Sequence, residues 1–231
     1  MVLPDTVRID LGRPPHEWRA RVKLEVGMAD LTGSSRKYRC CVLVRLVALL
    51  LAPGMSCASA AEIAGIRFPE TANVAGYKLV LNGAALRSWA MLRIYAIGLY
   101  VSERNAGAAD LLSQPGPKRV NLALLRDTTS KELTDALIDG INDNQAPTEA
   151  ARLRPRMDRL ASVMAAVGFA PSGSQITIDF VPGRGTRFAL NGEQTGETIE
   201  GAEFYAALLN IWLGDHPPQP SIKDALLGRV R

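Results

Sequence analysis

The sequence predicts an α+β fold in which one large antiparallel sheet packs against a layer of helices. Strand patterns come first, helix patterns follow, and further strands and a helix come after them. Residues 91–101 are apolar on both alternate faces, which indicates a strand covered on both sides and therefore central in its sheet. No repeat, low-complexity tract or linker divides residues 62–231, so we expect them to form one domain.

The first strands of that domain lead up to the central one. Residues 61–74 have a short, extended pattern, and Pro69 suggests an edge or entry strand. Residues 78–81 predict the next strand. Asn82-Gly83 follows and predicts a hairpin turn, because both residues tolerate a positive φ. The central strand over residues 91–101 comes after this turn.

Helices are predicted in the middle of the domain. Residues 106–113 favour a short helix, and residues 119–125 favour the next strand. Thr129 and Glu132 have the spacing of a capping box, which predicts that a helix begins there. Residues 147–167 predict a second long helix, since apolar side chains recur at helical spacing.

The C-terminal part returns to strands and ends in helices. Residues 175–181 and 187–190 predict a strand pair, and a third short run ends near Ile199. Residues 203–213 predict an apolar helix, and residues 221–228 a last short one. This order agrees with one antiparallel sheet backed by helices.

Charge and composition exclude several classes of function. Residues 1–61 hold nine Lys+Arg and five Asp+Glu, whereas residues 62–231 hold 18 of each, so the N-terminal stretch supplies the whole net charge of +4. A balanced domain has no excess of cations for tracking phosphates, so we predict no nucleic-acid partner. All three cysteines lie before residue 62, and His216 is the single histidine after it. Thiolate chemistry and histidine-based triads or metal sites are therefore disfavoured.

The N-terminal stretch has the order of a secretory signal peptide. Residues 36–61 run from a basic cluster through an apolar core, interrupted by Arg45, to a small-residue exit. We therefore predict export to the periplasm and no stable transmembrane span in the mature chain. Residues 1–35 are interpreted as a disordered extension or as an over-long reading frame whose true start is Met28. A lipid anchor at Cys57 is the alternative to a soluble mature chain.

Two stretches resemble a known family. The run LNGAALRSWAMLRIYAIGLYV, residues 81–101, resembles the second and third strands of the chalcone isomerase family. TIEGAEFYAALLNIWLG, residues 198–214, and DALLG, residues 224–228, are similar to its bacterial chalcone isomerase-like branch. The resemblance covers about residues 63–228. It implies an open-faced β-sandwich, with a large antiparallel sheet covered on one face by helices and a cleft between the two.

The resemblance also implies site residues. The family holds true isomerases that cyclise chalcones, proteins that bind fatty acids, and members without known catalysis. Arg87 matches the catalytic arginine of the isomerases, and Tyr95 stands in place of a threonine. The tyrosine and asparagine of the isomerases have no match. Their places, and that of a second threonine, fall on Thr129 or Ser130, on Ala136 or Leu137, and on Gln194 or Thr195.

These losses favour binding over turnover. We predict an exported, non-catalytic protein that binds a hydrophobic small acid, resembling a fatty acid, with Arg87 as the anion anchor and without a metal or cofactor. One alternative is an isomerase (an intramolecular lyase) of chalcone-like enones, with Arg87 and Tyr95 as catalytic residues. A second is an interaction module of a membrane or electron-transfer assembly, with its cleft filled by side chains. Arg87 could instead cap buried carbonyls or pair with Asp127 or Glu132.

Overall fold

A computed structural model describes residues 60–229 of the chain. The predicted signal peptide, the alternative start at Met28 and the candidate anchor Cys57 lie outside the described residues, apart from the last two positions of the signal peptide. The strands are β1 Ala61–Ile63, β2 Ile66–Phe68, β3 Thr71–Val74, β4 Tyr77–Trp89, β5 Leu92–Val101, β6 Lys118–Leu124, β7 Thr128–Thr129, β8 Phe169–Ala170, β9 Gln175–Val181, β10 Gly185–Leu190 and β11 Glu193–Ile199. The helices are α1 Ala108–Ser113, α2 Ser130–Asp143, α3 Pro147–Ala165, α4 Ala202–Leu213 and α5 Pro220–Leu226.

One antiparallel sheet organises the described residues. Its seven strands are ordered β11-β10-β9-β6-β5-β4-β3, and each neighbouring pair is antiparallel. Helices α2 to α5 pack on one face and enclose the main apolar core with it. The predicted α+β class and open-faced sandwich are confirmed. Within residues 60–229 no helix is both long enough and apolar enough to cross a membrane.

Strand β5 lies inside the sheet, between β4 and β6, as its two apolar faces predict. Ile97 and Leu99 point into the main core under the helices, and Tyr100 points into a second apolar cluster on the other face. Phe68 from the β1–β2 hairpin covers that outer face. A Cβ at Gly98 would lie 2.6 Å from the Phe68 ring, so glycine makes this contact possible.

The prediction of a turn at Asn82-Gly83 is wrong. Both residues lie within the continuous strand β4, and the chain reverses at Ala90-Met91 instead. The Asn82 amide donates hydrogen bonds to the carbonyl oxygens of Asn105, at 3.0 Å, and Leu226, at 2.6 Å. Gly83 leaves room for helix α5, because a Cβ there would overlap the backbone carbonyl of Ala225. The pair therefore serves packing of a helix onto the strand.

The helices begin and end close to the predicted positions. At the start of α2, Thr129 and Glu132 form the predicted capping box, with the Glu132 carboxylate accepting from the Thr129 backbone N–H at 2.8 Å. Helix α3 continues through Pro155, and its apolar stripe is buried. Helix α4 is buried along most of its length, and Trp212 in its last turn contacts Tyr95 of strand β5.

Gly83→Ala tests whether α5 depends on this close approach. We expect the free energy of unfolding to fall by about 3 kcal/mol, since the added methyl group collides with backbone that cannot move freely. Urea unfolding followed by circular dichroism measures the loss. Gly192→Ala is the control, because Gly192 faces open space and the change there adds only backbone strain at φ 89°, about 1 kcal/mol. Equal losses in the two variants would contradict the packing role of Gly83.

Candidate functional site

A cavity of about 540 Å³ lies between the helix-covered face of the sheet and helices α2 to α4. Its wall is mainly aliphatic and aromatic. The sheet contributes Ile94, Leu122, Leu124, Ile176 and Ile178, and the helices contribute Leu133, Ala136, Leu137, Met164, Ile211 and Trp212. An open cavity beside Arg87 differs from the filled cleft expected of a pure interaction module. A space of this size and character suits an apolar small molecule.

Arg87 reaches this cavity from strand β4. It is partly buried, and one guanidinium nitrogen donates a hydrogen bond to the Pro218 carbonyl oxygen. Among residues 60–229 no carboxylate lies within ion-pair distance of it. Asp127 accepts from the Ser172 N–H, and Glu132 pairs with Arg126. The guanidinium therefore caps one carbonyl and keeps further N–H donors for another acceptor.

Tyr95 stands directly opposite Arg87 in the register of β4 and β5. Opposed residues of an antiparallel pair share a face, so both side chains line the cavity. The Tyr95 hydroxyl accepts a hydrogen bond of 2.9 Å from the Trp212 indole N–H, and no acceptor for its own proton lies among the described side chains and carbonyls. Burial raises the pKa of the Tyr95 phenol, although the Trp212 hydrogen bond and the charge of Arg87 oppose that rise. At neutral pH the group is thus a neutral donor.

Besides Asp139 and Asp143, helix α2 faces the cavity with small and aliphatic residues. Leu133, Ala136, Leu137 and Gly140 recur at helical spacing along this wall. Ala136 and Leu137 are the positions that the resemblance assigned to the isomerases' asparagine. This stretch of wall therefore offers no side-chain donor that could hold a substrate hydroxyl group.

The other predicted site residues do not line the cavity. The Thr129 hydroxyl is engaged by the capping box, where it donates to the Glu132 carboxylate at 2.9 Å, and Ser130 is the first residue of α2. Gln194 and Thr195 lie on β11, at the far edge of the sheet, with three strands between them and β5. The structure brings Arg87 and Tyr95 together and places these four residues elsewhere.

Polar residues near the cavity include Arg126, Asp139, Asp143 and His216. Arg126 is exposed and donates to Glu132 at 2.5 Å, so its charge is already compensated. Asp139 and Asp143 are exposed residues one turn apart on α2. Among residues 60–229, no group of three His, Cys, Asp or Glu side chains is placed to hold a metal ion.

The Pro-rich segment over residues 214–219 closes one side of the cavity. Asn144 fixes it by accepting from the His216 N–H at 2.9 Å and donating to the His216 carbonyl at 3.0 Å. The Gln219 side chain accepts from the Ser88 N–H at 2.9 Å. Sequence reasoning missed this segment and Trp212. The prolines of the segment indicated a rigid backbone, but no local sequence pattern indicated that Pro218 contacts Arg87.

Comparisons with known proteins agree with this architecture. A family described as chalcone isomerase-like matches residues 60–228. The crystal structure of a fatty-acid binding protein from Arabidopsis thaliana is similar, with a TM-score of 0.60 and 16% sequence identity over 73% of this chain and 96% of that one. No curated protein matches the sequence. At this identity the structural likeness shows the fold alone. Because the family match spans most of its length, the chain belongs to the chalcone isomerase-like family.

Proposed function

We propose that this protein binds a hydrophobic carboxylic acid of the fatty-acid type in the cavity and does not transform it. The observation that carries the proposal is the cross-strand pair of Arg87 and Tyr95 at the wall of a mainly apolar cavity. The pair provides a cation and a neutral hydroxyl donor on one face of the sheet. The remaining wall provides the surface that an aliphatic chain requires.

The carboxylate would lie between Arg87 and Tyr95. A guanidinium donates two parallel hydrogen bonds to a carboxylate, and Arg87 retains donors beyond the one directed at Pro218. The Tyr95 hydroxyl, whose oxygen already accepts a hydrogen bond from Trp212, would donate a further hydrogen bond to the carboxylate.

The acyl chain would extend along the aliphatic wall between sheet and helices. A buried methylene contributes about 0.8 kcal/mol, so a chain of several carbons supplies most of the binding free energy. The volume of about 540 Å³ falls within the range of small-molecule sites. The carboxylate pair then sets the orientation of the ligand.

The wall of α2 supports binding without catalysis. The resemblance places the substrate-holding asparagine of the isomerases at Ala136 or Leu137, and both of these residues line the cavity without a side-chain donor. An unpaired hydroxyl group in this wall would cost about 1–3 kcal/mol. The predicted signal peptide in turn supports a periplasmic location for the proposed binding protein.

Arg87→Met tests the anion anchor. We expect the affinity for a long-chain fatty acid to fall about 10- to 100-fold, because the carboxylate loses its charged hydrogen-bond partner. Isothermal titration calorimetry with the acid and with its methyl ester measures this, and the ester should bind both proteins equally. Arg126→Met is the matched control and should change the affinity less than threefold. An equal loss for acid and ester would contradict the anchor.

Tyr95→Phe tests the hydroxyl donor through pH. In the wild type we expect constant affinity through neutral and mildly alkaline pH, and weaker binding only at strongly alkaline pH, where the phenol loses its proton and the phenolate repels the ligand. Its raised pKa moves this fall to higher pH than that of a free tyrosine. The variant should bind about threefold to tenfold more weakly at pH 7 and lack the alkaline fall. Identical profiles for the two proteins would exclude Tyr95 from the site.

Chalcone turnover separates the proposal from the isomerase alternative, in which Arg87 and Tyr95 polarise the ketone of an enone. We expect that the enone absorbance of variously hydroxylated chalcones decreases no faster with the purified protein than without it. The measurement is spectrophotometric, with Arg87→Ala alongside. Turnover that is present in the wild type and absent in the variant would overturn the non-catalytic proposal.

A further inference from the structure

The hairpin between β4 and β5 ends in an exposed apolar tip. Its residues 89–92 read Trp-Ala-Met-Leu, and the side chains of Trp89, Met91 and Leu92 are 68%, 98% and 56% exposed. Trp89 and Leu92 pair across the strands, with only Ala90 and Met91 between them. Large apolar side chains gathered at one projecting point of a soluble domain mark a surface that meets an apolar partner.

This hairpin tip is continuous with the cavity. Trp89 lines the cavity while most of its surface faces solvent, and Arg87 lies two residues before it on the same strand. A ligand that leaves the cavity on this side passes directly along the tip. The tip therefore borders the side of the cavity that Trp89 lines.

The charge beside the tip is positive. Arg93 directly follows Leu92, is exposed, and forms no ion pair with any residue that the structure describes. Residues 87–93 contain two arginines and no acidic residue. Tryptophan prefers the interface between the headgroups and acyl chains of a bilayer, and an unpaired arginine suits anionic headgroups.

We propose that the hairpin tip docks on an anionic lipid bilayer, with Trp89 and Met91 entering the interface, and that the hydrophobic acid passes between bilayer and cavity at this point. The identity of the passenger rests on the function proposed above, whereas the docking itself does not. The two-residue turn already presents the apolar side chains outward, so docking requires no rearrangement of the sheet.

Trp89 fluorescence tests the docking. Subtracting the emission of a Trp89→Phe variant from that of the wild-type full chain isolates Trp89 from the other two tryptophans, Trp18 and Trp212. With vesicles of phosphatidylethanolamine and phosphatidylglycerol we expect a blue shift of this difference and strong quenching by lipids brominated near the headgroup. Trp89 emission that vesicles leave unchanged would overturn the proposal. A blue shift that depends on protein concentration without vesicles would overturn it in favour of self-association.

Transfer kinetics test the exchange step. With a fluorescent fatty acid as passenger, we expect transfer to vesicles to accelerate with vesicle concentration in the wild type and to slow at least tenfold in Met91→Ser. Met91 does not line the cavity, so its variant should bind the free acid as the wild type does. Equal transfer rates in the two proteins would overturn the exchange. Docking of Trp89 without any binding of the acid would refute the function proposed above and leave the docking intact.

Discussion

The pairing of β4 with β5 is the constraint on which the site depends. Arg87 and Tyr95 share a face only because they are directly opposed in this antiparallel register. A slip of one residue would turn either side chain to the other face of the sheet. Two close contacts hold the register: α5 packs against Gly83 on β4, and Phe68 packs against Gly98 on β5. The site is thus a consequence of how the sheet is covered on both faces.

The cavity combines a charge with an apolar wall, and the surrounding contacts make this combination tolerable. The Arg87 guanidinium satisfies one donor on the Pro218 carbonyl and remains only partly buried, which limits the cost of removing it from water. Tyr95, like any phenol, is uncharged at neutral pH, and burial raises its pKa further, so it adds a donor without adding a second charge. In the complex proposed above, a carboxylate between them would supply the missing counter-charge. A neutral molecule would gain no such charge interaction at this end of the cavity.

Local patterns predicted the architecture well. The capping box at Thr129 and the stripe of α3 depend on nearby residues, and each lies where it was predicted. The apolar faces of β5 are covered as predicted in its second half, whereas Met91 and Leu92, where the predicted strand starts, are exposed. The turn predicted at Asn82-Gly83 was wrong because a small residue and an amide side chain are used in close helix packing as well as in turns. Thr129 had two competing interpretations, and the capping box uses the hydroxyl that a ligand site would need. Trp212 contacts Tyr95, and Pro218 contacts Arg87, only after tertiary folding. No local sequence pattern indicates either contact.

A crystal structure of the protein with a bound long-chain fatty acid would test directly whether Arg87 and Tyr95 bind the carboxylate. We expect carboxylate oxygens within about 3 Å of both the Arg87 guanidinium and the Tyr95 hydroxyl, with the acyl chain between the sheet and α2. A fatty acid bound in the reverse direction, with its carboxylate beside Arg126, would contradict it. So would a cavity that remains empty at saturating concentrations of the acid.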